Sequence, residues 1–396
     1  MATAVLVQAQ AAKSERHVRA LDGVRGIAIL LVLAVHLRAM NVLPQDLAIT
    51  HRLAQLFSWG WSGVDLFFVL SGFLITGILL DTKTAENRAL AFYARRVLRI
   101  FPLYYIVLTG CLGVYILFRH SPHGIAASFP TYSFPTYKGF FSYFIYLQNW
   151  WMPFKETDHL RILGHFWSLA VEEQFYLLWP WFVWNASRRR LVLACVCGFV
   201  AAFALRWFFL TWYSALTGWF VYMNVLTRMD ALLAGAFCAI AVREVKLMNW
   251  VRRSAPFLAV ITVAGLLAII LIAREIWEAH YYTQVYGYSL LAVAYSFLVL
   301  SAYRYSGTCN PLDRLLSSRV LRIFGKYSYG IYVYQGFVEN LGFHFFSRYS
   351  WWGRSVASAT LISALWIAIP FGIAVLSYRF LETPFLRLKG RFVPSY

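Results

Sequence analysis

A chain of 396 residues in which 60% are apolar and only 13% are charged has too little polar surface to coat a water-soluble globule. Composition excludes an ordinary soluble domain and makes a lipid bilayer the main solvent. The formal net charge of +19 would suit nucleic acid, but Lys and Arg fall in short clusters between apolar runs, where a positive-inside bias places them, so no nucleic-acid partner is expected.

In chain order, residues 1–18 read as a short cytoplasmic tail, because Lys13, Arg16 and Arg19 follow its apolar stretch rather than precede it as in a secretion signal. Ten apolar runs then follow, at about 24–43, 59–80, 100–118, 165–185, 191–211, 226–242, 256–273, 285–303, 326–346 and 354–381. Each is long enough to cross a hydrocarbon core of roughly 30 Å as a helix. An eleventh stretch, 138–152 (KGFFSYFIYLQNWWM), is short and ends in the polar-aromatic composition of a membrane interface.

Charge decides whether it crosses. With ten spans and an inside N-terminus, the loops holding Arg95, Arg96 and Arg99, then Arg188 to Arg190, Arg252 and Arg253, and Arg319, Arg322 and Lys326 all fall on the cytoplasmic side. A crossing at 138–152 would break that pattern. The expected fold is therefore all-α, a polytopic integral membrane protein of about ten transmembrane helices with one interfacial or re-entrant segment. Residues 19–388 form its membrane domain and 389–396 a short cytoplasmic tail. Cys111, Cys195, Cys197, Cys238 and Cys309 lack paired loop spacing, so they read as small core residues; neither a disulfide framework nor a metal site is expected.

Ionisable groups inside spans are costly, so chemistry is sought there first. Arg25 and His36 are eleven residues apart in the first span, on one helical face about 17 Å apart. Arg25 reads as a positive-inside anchor or a ligand group, His36 as a packing histidine or a base. Asp65 in the second span and Glu172 in the fourth lie at similar depths below their outer helix ends, near the level of His36. A cluster of His36, Asp65 and Glu172 is therefore permitted, with a structural network as the rival reading. His165, Ser168 and Glu172 share a face while Glu173 points about 100° away, which favours Glu172 as the inward acid.

Arg96 and Arg99, three apart on one face, could grip phosphates of a ligand or of lipid headgroups. Arg228 and Asp230 read as an interfacial ion pair. Ser328, Tyr329, Tyr332 and Tyr334 read as an aromatic packing stripe.

These motifs combine. The Arg25 to His36 spacing, GVDLFFVLSGFLI, RRVLR before IFPLYY, FWSLAVEEQFYLLWP, RMDALLAGAF, GKYSYGIYVYQ and the terminal RFLETPF occur in one order from about residue 19 to 388. Together they resemble the membrane acyltransferase 3 family. The resemblance implies a multi-span bacterial O-acyltransferase of the kind that modifies O-antigen, peptidoglycan, exopolysaccharide, nodulation factors or macrolides, with an acyl-CoA donor. By the same resemblance Arg25 and His36 match the essential Arg and His of the first span. Arg96 and Arg99 match an Arg-x-x-Arg pair, and Glu172 matches the acid of WSLAVEEQFY. Gln335 departs from the pattern, since many relatives carry His there. The extracytoplasmic esterase-like domain of some relatives does not occur in this sequence, so the membrane domain is expected to receive and deliver the acyl group itself.

The expected function is transfer of an acyl group, by family default acetyl, from cytoplasmic acyl-CoA to a hydroxyl of a carbohydrate or glycolipid acceptor at a bacterial inner membrane. No bound cofactor or metal is expected, and membrane lipids are the surrounding partner. His36 is the expected general base, since an imidazole with a pKa of about 6.5 suits proton removal near neutrality. Asp65 or Glu172 would orient it, and Arg25, Arg96 and Arg99 would hold the CoA phosphates. Acceptor specificity is expected in outer loops such as 119–164 and 212–225. A multi-span transporter or flippase of a lipid-linked glycan is the alternative, because buried charges also describe carriers.

Overall fold

Runs of apolar residues cannot leave backbone N–H and C=O groups unpaired in lipid, and helices satisfy them within one segment. The computed structural model describes residues 18–39, 48–119, 137–154, 161–213, 218–273, 277–346 and 355–396, and every regular element among them is helical. Nearly all of the expected N-terminal tail, residues 120–136 and 155–160 of the 119–164 loop, and residues 214–217 of the 212–225 loop lie outside the described residues.

Numbered in chain order, the helices are α1 (Arg19–Ala39), α2 (Ala48–Ser58), α3 (Gly63–Asp81), α4 (Arg88–Arg119), α5 (Tyr137–Phe144), α6 (Gln148–Trp151), α7 (Trp167–Asn185) and α8 (Arg188–Trp212). They continue as α9 (Gly218–Met223), α10 (Val225–Ala241), α11 (Val245–Ala273), α12 (Tyr288–Tyr305), α13 (Pro311–Leu316), α14 (Arg319–Phe346), α15 (Val356–Ser377) and α16 (Thr383–Arg387).

Among the described residues, eight helical stretches are long and apolar enough to cross a membrane: Arg19–Leu37, Arg52–Asp81, Arg88–Val114, Arg188–Trp212, Gly218–Ala241, Val245–Ala273, Thr283–Tyr305 and Val356–Arg391. The two remaining expected spans, 165–185 and 326–346, are also helical, as α7 with 19 residues and α14 with 28. They fall outside that set because Glu172, Glu173 and Gln174 interrupt one, and Lys326, Gln335 and Glu339 the other. Four of these residues, Glu172, Glu173, Gln335 and Glu339, line the cavities described below. Helix α4 begins at Arg88 rather than near residue 100, so Arg95, Arg96 and Arg99 are carried on the helix itself.

The stretch 138–152 does not cross. It breaks into α5 and α6, of eight and four residues, around Tyr146, whose φ is 54°. Eight residues span only about 12 Å. The Tyr104 and Tyr105 hydroxyls donate to the carbonyls of Tyr143 and Phe144, each at 2.8 Å, and pin α5 to α4. At the opposite end, Lys83 Nζ donates to the carbonyls of Val183 (2.9 Å) and Ala186 (2.7 Å). Arg243 pairs with Asp81 at 2.6 Å beside them. The α3–α4 and α7–α8 turns therefore share one end of the bundle, and the chain between them goes out along α4 and returns along α7. This basic end also holds the N-termini of α1 and α14.

Glycines set the closest helix approaches. A Cβ on Gly235 would lie 1.9 Å from the Val69 carbonyl oxygen, and one on Gly72 would lie 1.9 Å from that of Leu232, so α3 and α10 touch backbone to backbone. Helices α1 and α14 run in the same direction with a similar contact, where a Cβ on Gly325 would lie 1.9 Å from the Asp22 carbonyl oxygen. Helices α8 and α11 turn apolar side chains outward, with Leu193, Val200, Phe257 and Val260 exposed and Leu271 79% exposed, as a lipid-facing layer would. Cys195 and Cys238 are buried, but Cys197 and Cys309 are exposed rather than core residues, Cys197 because it falls on the outward face of α8.

Candidate active site

Two cavities lie inside the bundle, and Val64 and Tyr332 belong to the walls of both. The cavity toward the basic end, of about 200 Å³, is lined by Arg25 of α1, Arg96 and Arg99 of α4, and Glu172, Glu173 and Tyr176 of α7. The other, of about 540 Å³, is lined by His36 of α1, Trp61, His165, Trp167, and Gln335 and Glu339 of α14.

In the smaller cavity, Arg25 Nη1 is 2.9 Å from Asp22 Oδ1, one turn earlier on α1. The Arg96 guanidinium lies over the Tyr176 ring, 5.4 Å from its centroid. The Tyr176 hydroxyl donates to Ser71 Oγ at 3.0 Å, and the Ser71 hydroxyl donates in turn to the Glu172 carboxylate. Three guanidinium groups from two helices thus surround a site with two acids on one wall. Such a group of cations can hold an anionic ligand bidentately. Glu173 borders this cavity together with Glu172, although helical phase turns them apart.

In the larger cavity, His36 Nδ1 is 2.7 Å from the Val32 carbonyl oxygen. That contact needs a proton on Nδ1, so the neutral imidazole keeps its lone pair on Nε2. Nε2 is 3.6 Å from Glu339 Oε2, and the Trp366 ring lies 6.1 Å away centre to centre. Trp366 is itself fixed by donating from Nε1 to the Leu33 carbonyl at 3.0 Å. A base oriented by its own helix, with a carboxylate close to the nitrogen that takes the proton, is an arrangement suited to general base catalysis.

The expected trio of His36, Asp65 and Glu172 does not form. Asp65 Oδ1 accepts from Arg228 Nη2 at 2.7 Å, and both side chains are buried, at 1% and 0% exposure. Asp65 is thus committed to α10 and does not orient His36. Glu172 bonds at Ser71, six residues and about 9 Å further along α3 than Asp65. The depth reasoning failed for a local reason. Residues 161–166 form a 3₁₀ turn, and Gln148 of the re-entrant segment donates to the Phe166 carbonyl at 2.9 Å, so α7 starts beneath that segment, deeper than its sequence suggests. Trp167 accordingly meets Phe68, and Trp179 Nε1 donates to Thr76 Oγ1 at 2.8 Å.

Arg228 and Asp230 are not an interfacial pair either. Arg228 turns to Asp65 and lies 3.8 Å over the Tyr288 ring, while Asp230 pairs with Arg206 at 2.8 Å and accepts from Ser289 at 2.9 Å, all of it buried. The tyrosine stripe of α14 does more than pack. Tyr329 donates to the Ile100 carbonyl and Tyr332 to that of His165, each at 2.7 Å, and Tyr334 donates to Ser377 at 3.1 Å, so hydroxyls moor α14 to three neighbours.

Sequence reasoning passed over Glu339, Ser71, Tyr176 and Arg206. For Glu339 a signal existed: an acid in an apolar helix, four residues after Gln335 and so on its face.

The chain matches the family described as an acyltransferase domain over residues 18–376. It is 30% identical over 396 residues to the peptidoglycan O-acetyltransferase OatA of Listeria monocytogenes, covering 95% of this chain and 57% of that protein. It is 26% identical over 388 residues to the O-acetyltransferase OatA of Staphylococcus aureus, covering 95% and 58%. The chain therefore spans somewhat more than half the length of these relatives. No solved structure matches it. A family match reaching from the start of α1 to the last turn of α15 takes in every helix that lines the two cavities: the chain belongs to the acyltransferase 3 family.

Proposed function

We propose that this protein is a membrane O-acyltransferase that moves an acetyl group from cytoplasmic acyl-CoA to a hydroxyl of a cell-wall carbohydrate. The observation that carries the reading is the pair of abutting cavities, one bordered by three arginines and the other by an oriented histidine, with Val64 and Tyr332 between them. The names of the relatives support the acetyl group and the peptidoglycan-type acceptor. The gathering of Lys and Arg at the arginine end supports placing that end, and the N-terminus, in the cytoplasm of a bacterial cell.

In this mechanism Arg25, Arg96 and Arg99 bind the CoA phosphates, and the thin pantetheine arm carries the thioester past Val64 and Tyr332. The acceptor hydroxyl enters the larger cavity, where His36 Nε2 removes its proton as the oxygen attacks the thioester carbonyl. Glu339 stabilises the imidazolium that forms, the role first expected of Asp65 or Glu172. The carbon–sulfur bond breaks, the ester bond forms, and the proton passes from His36 to the departing CoA thiolate. Glu172, hydrogen-bonded by Ser71 beside the arginines, balances their charge at the donor site.

The test is a division of labour measured by calorimetric binding of acetyl-CoA to protein in nanodiscs. Arg99→Ala should weaken binding about 10- to 100-fold, as loss of a charge-assisted contact does, whereas His36→Ala should leave it within a factor of three. Equal loss in both variants would overturn the assignment of donor and acceptor to separate cavities.

A further inference from the structure

Gln335 is fully buried, and neither its amide oxygen nor its amide nitrogen has a hydrogen-bond partner among the described residues. It borders the larger cavity with His36, and Glu339 follows it by one helical turn on α14. The helix is closely packed next to it: a Cβ on the adjacent Gly336 would lie 2.5 Å from both His165 Cε1 and the Ile162 carbonyl oxygen. A buried primary amide left unpaired is destabilising, and leucine, of nearly the same size, would avoid the cost. The amide is thus held without a partner among the described residues, in the wall of a cavity of about 540 Å³ that His36 also lines.

We propose that Gln335 is a specificity-determining residue of the acceptor cavity, its amide pairing with the acetamido group of an N-acetylated sugar whose hydroxyl faces His36. This rests on the acetyl-transfer reading above. A primary amide offers a carbonyl and an N–H side by side, and a secondary amide offers the complementary N–H and carbonyl, so one partner satisfies both orphan atoms. The walls suit the rest of the ring. Trp61 and Trp167 are buried in the cavity wall, whereas Trp219 and Trp277 line it while remaining more than a third exposed, so the cavity carries the aromatic surface against which the C–H faces of a pyranose pack. Sites that hydrogen-bond a polar substituent discriminate strongly against analogues lacking it, because their own buried groups are then left unpaired.

The test compares binding of chitotetraose, which carries an acetamido group on every ring, with cellotetraose, which carries hydroxyls there, by tryptophan fluorescence of the full chain in nanodiscs. Wild type should prefer chitotetraose by about tenfold or more. Gln335→Leu should erase that preference by weakening chitotetraose alone, and should raise the thermal midpoint, since it removes the unpaired amide. Unchanged preference in Gln335→Leu, or no preference in wild type, would overturn the inference. Acetyl-CoA binding measured on the same samples separates the two readings: if wild type binds the donor but discriminates neither oligomer, the role of Gln335 falls and the acyl-transfer reading stands. If the donor does not bind, the acyl-transfer reading falls first.

Discussion

Removing the carboxylate of Asp65 leaves the Arg228 guanidinium, 0% exposed and 2.7 Å from its partner, without its directly paired counter-charge. Breaking a buried pair from one side costs about 3–5 kcal/mol, whereas replacing both members by apolar residues of similar size is close to neutral or better. Asp65→Asn should therefore shift the unfolding equilibrium by roughly two to three and a half powers of ten at about 1.4 kcal/mol each. The double variant Asp65→Leu with Arg228→Met should recover most of that loss, since Met preserves much of the contact with Tyr288. The neighbouring Arg206–Asp230 pair is left intact in both. SDS-titration unfolding in mixed micelles measures the stability, and CoA release from acetyl-CoA measures activity on the same preparations. A double variant as stable as wild type but inactive would place Asp65 in the chemistry and refute its structural role. An Asp65→Asn protein as stable as wild type would refute the pair itself.

Glu339→Gln should lower the rate of acetyl transfer about 10- to 100-fold, with acetyl-CoA affinity unchanged, because it loses the charge beside the forming imidazolium; an unchanged rate in steady-state kinetics would dismiss Glu339. Val64→Phe should obstruct the junction of the two cavities, leaving donor binding within a factor of three while transfer falls at least about 100-fold; parallel losses would contradict a passage there. Gly235→Val should separate α3 from α10 and cost more than the about 1–3 kcal/mol of ordinary overpacking, seen as loss of folded protein on size-exclusion chromatography, because the obstructing atom is a backbone oxygen 1.9 Å away.

The helical spans were legible because lipid imposes one solution on a long apolar run, and the non-crossing of 138–152 was legible because charge alternation permits no other path. Helices α7 and α14 were readable as helices despite their polar content, since length and flanking residues still marked them. The grouping of Arg25 with Arg96 and Arg99 follows from placing the cationic faces of two helices, α1 and α4, at one end. Depth was the weak point. Counting residues from helix ends set Asp65 and Glu172 level with His36, but the re-entrant segment displaces α7 along the bundle, and no local pattern in WSLAVEEQFY records that displacement. Partner choice was equally hidden: Asp65 meets Arg228, 163 residues away in sequence, through a helix crossing fixed by glycines. Glu339 could have been found by treating every acid in a span as a candidate, and its proximity to His36 follows from α1 and α14 running together from Gly325 outward.

The most direct test of the central claim is release of free CoA from acetyl-CoA by purified protein, comparing wild type with His36→Ala in the presence of a peptidoglycan glycan acceptor. The account predicts acceptor-stimulated turnover in wild type and its loss, by at least about a thousandfold, in a variant that still binds acetyl-CoA. Turnover that persists in His36→Ala, or a folded wild type that binds acetyl-CoA and releases nothing, would contradict it.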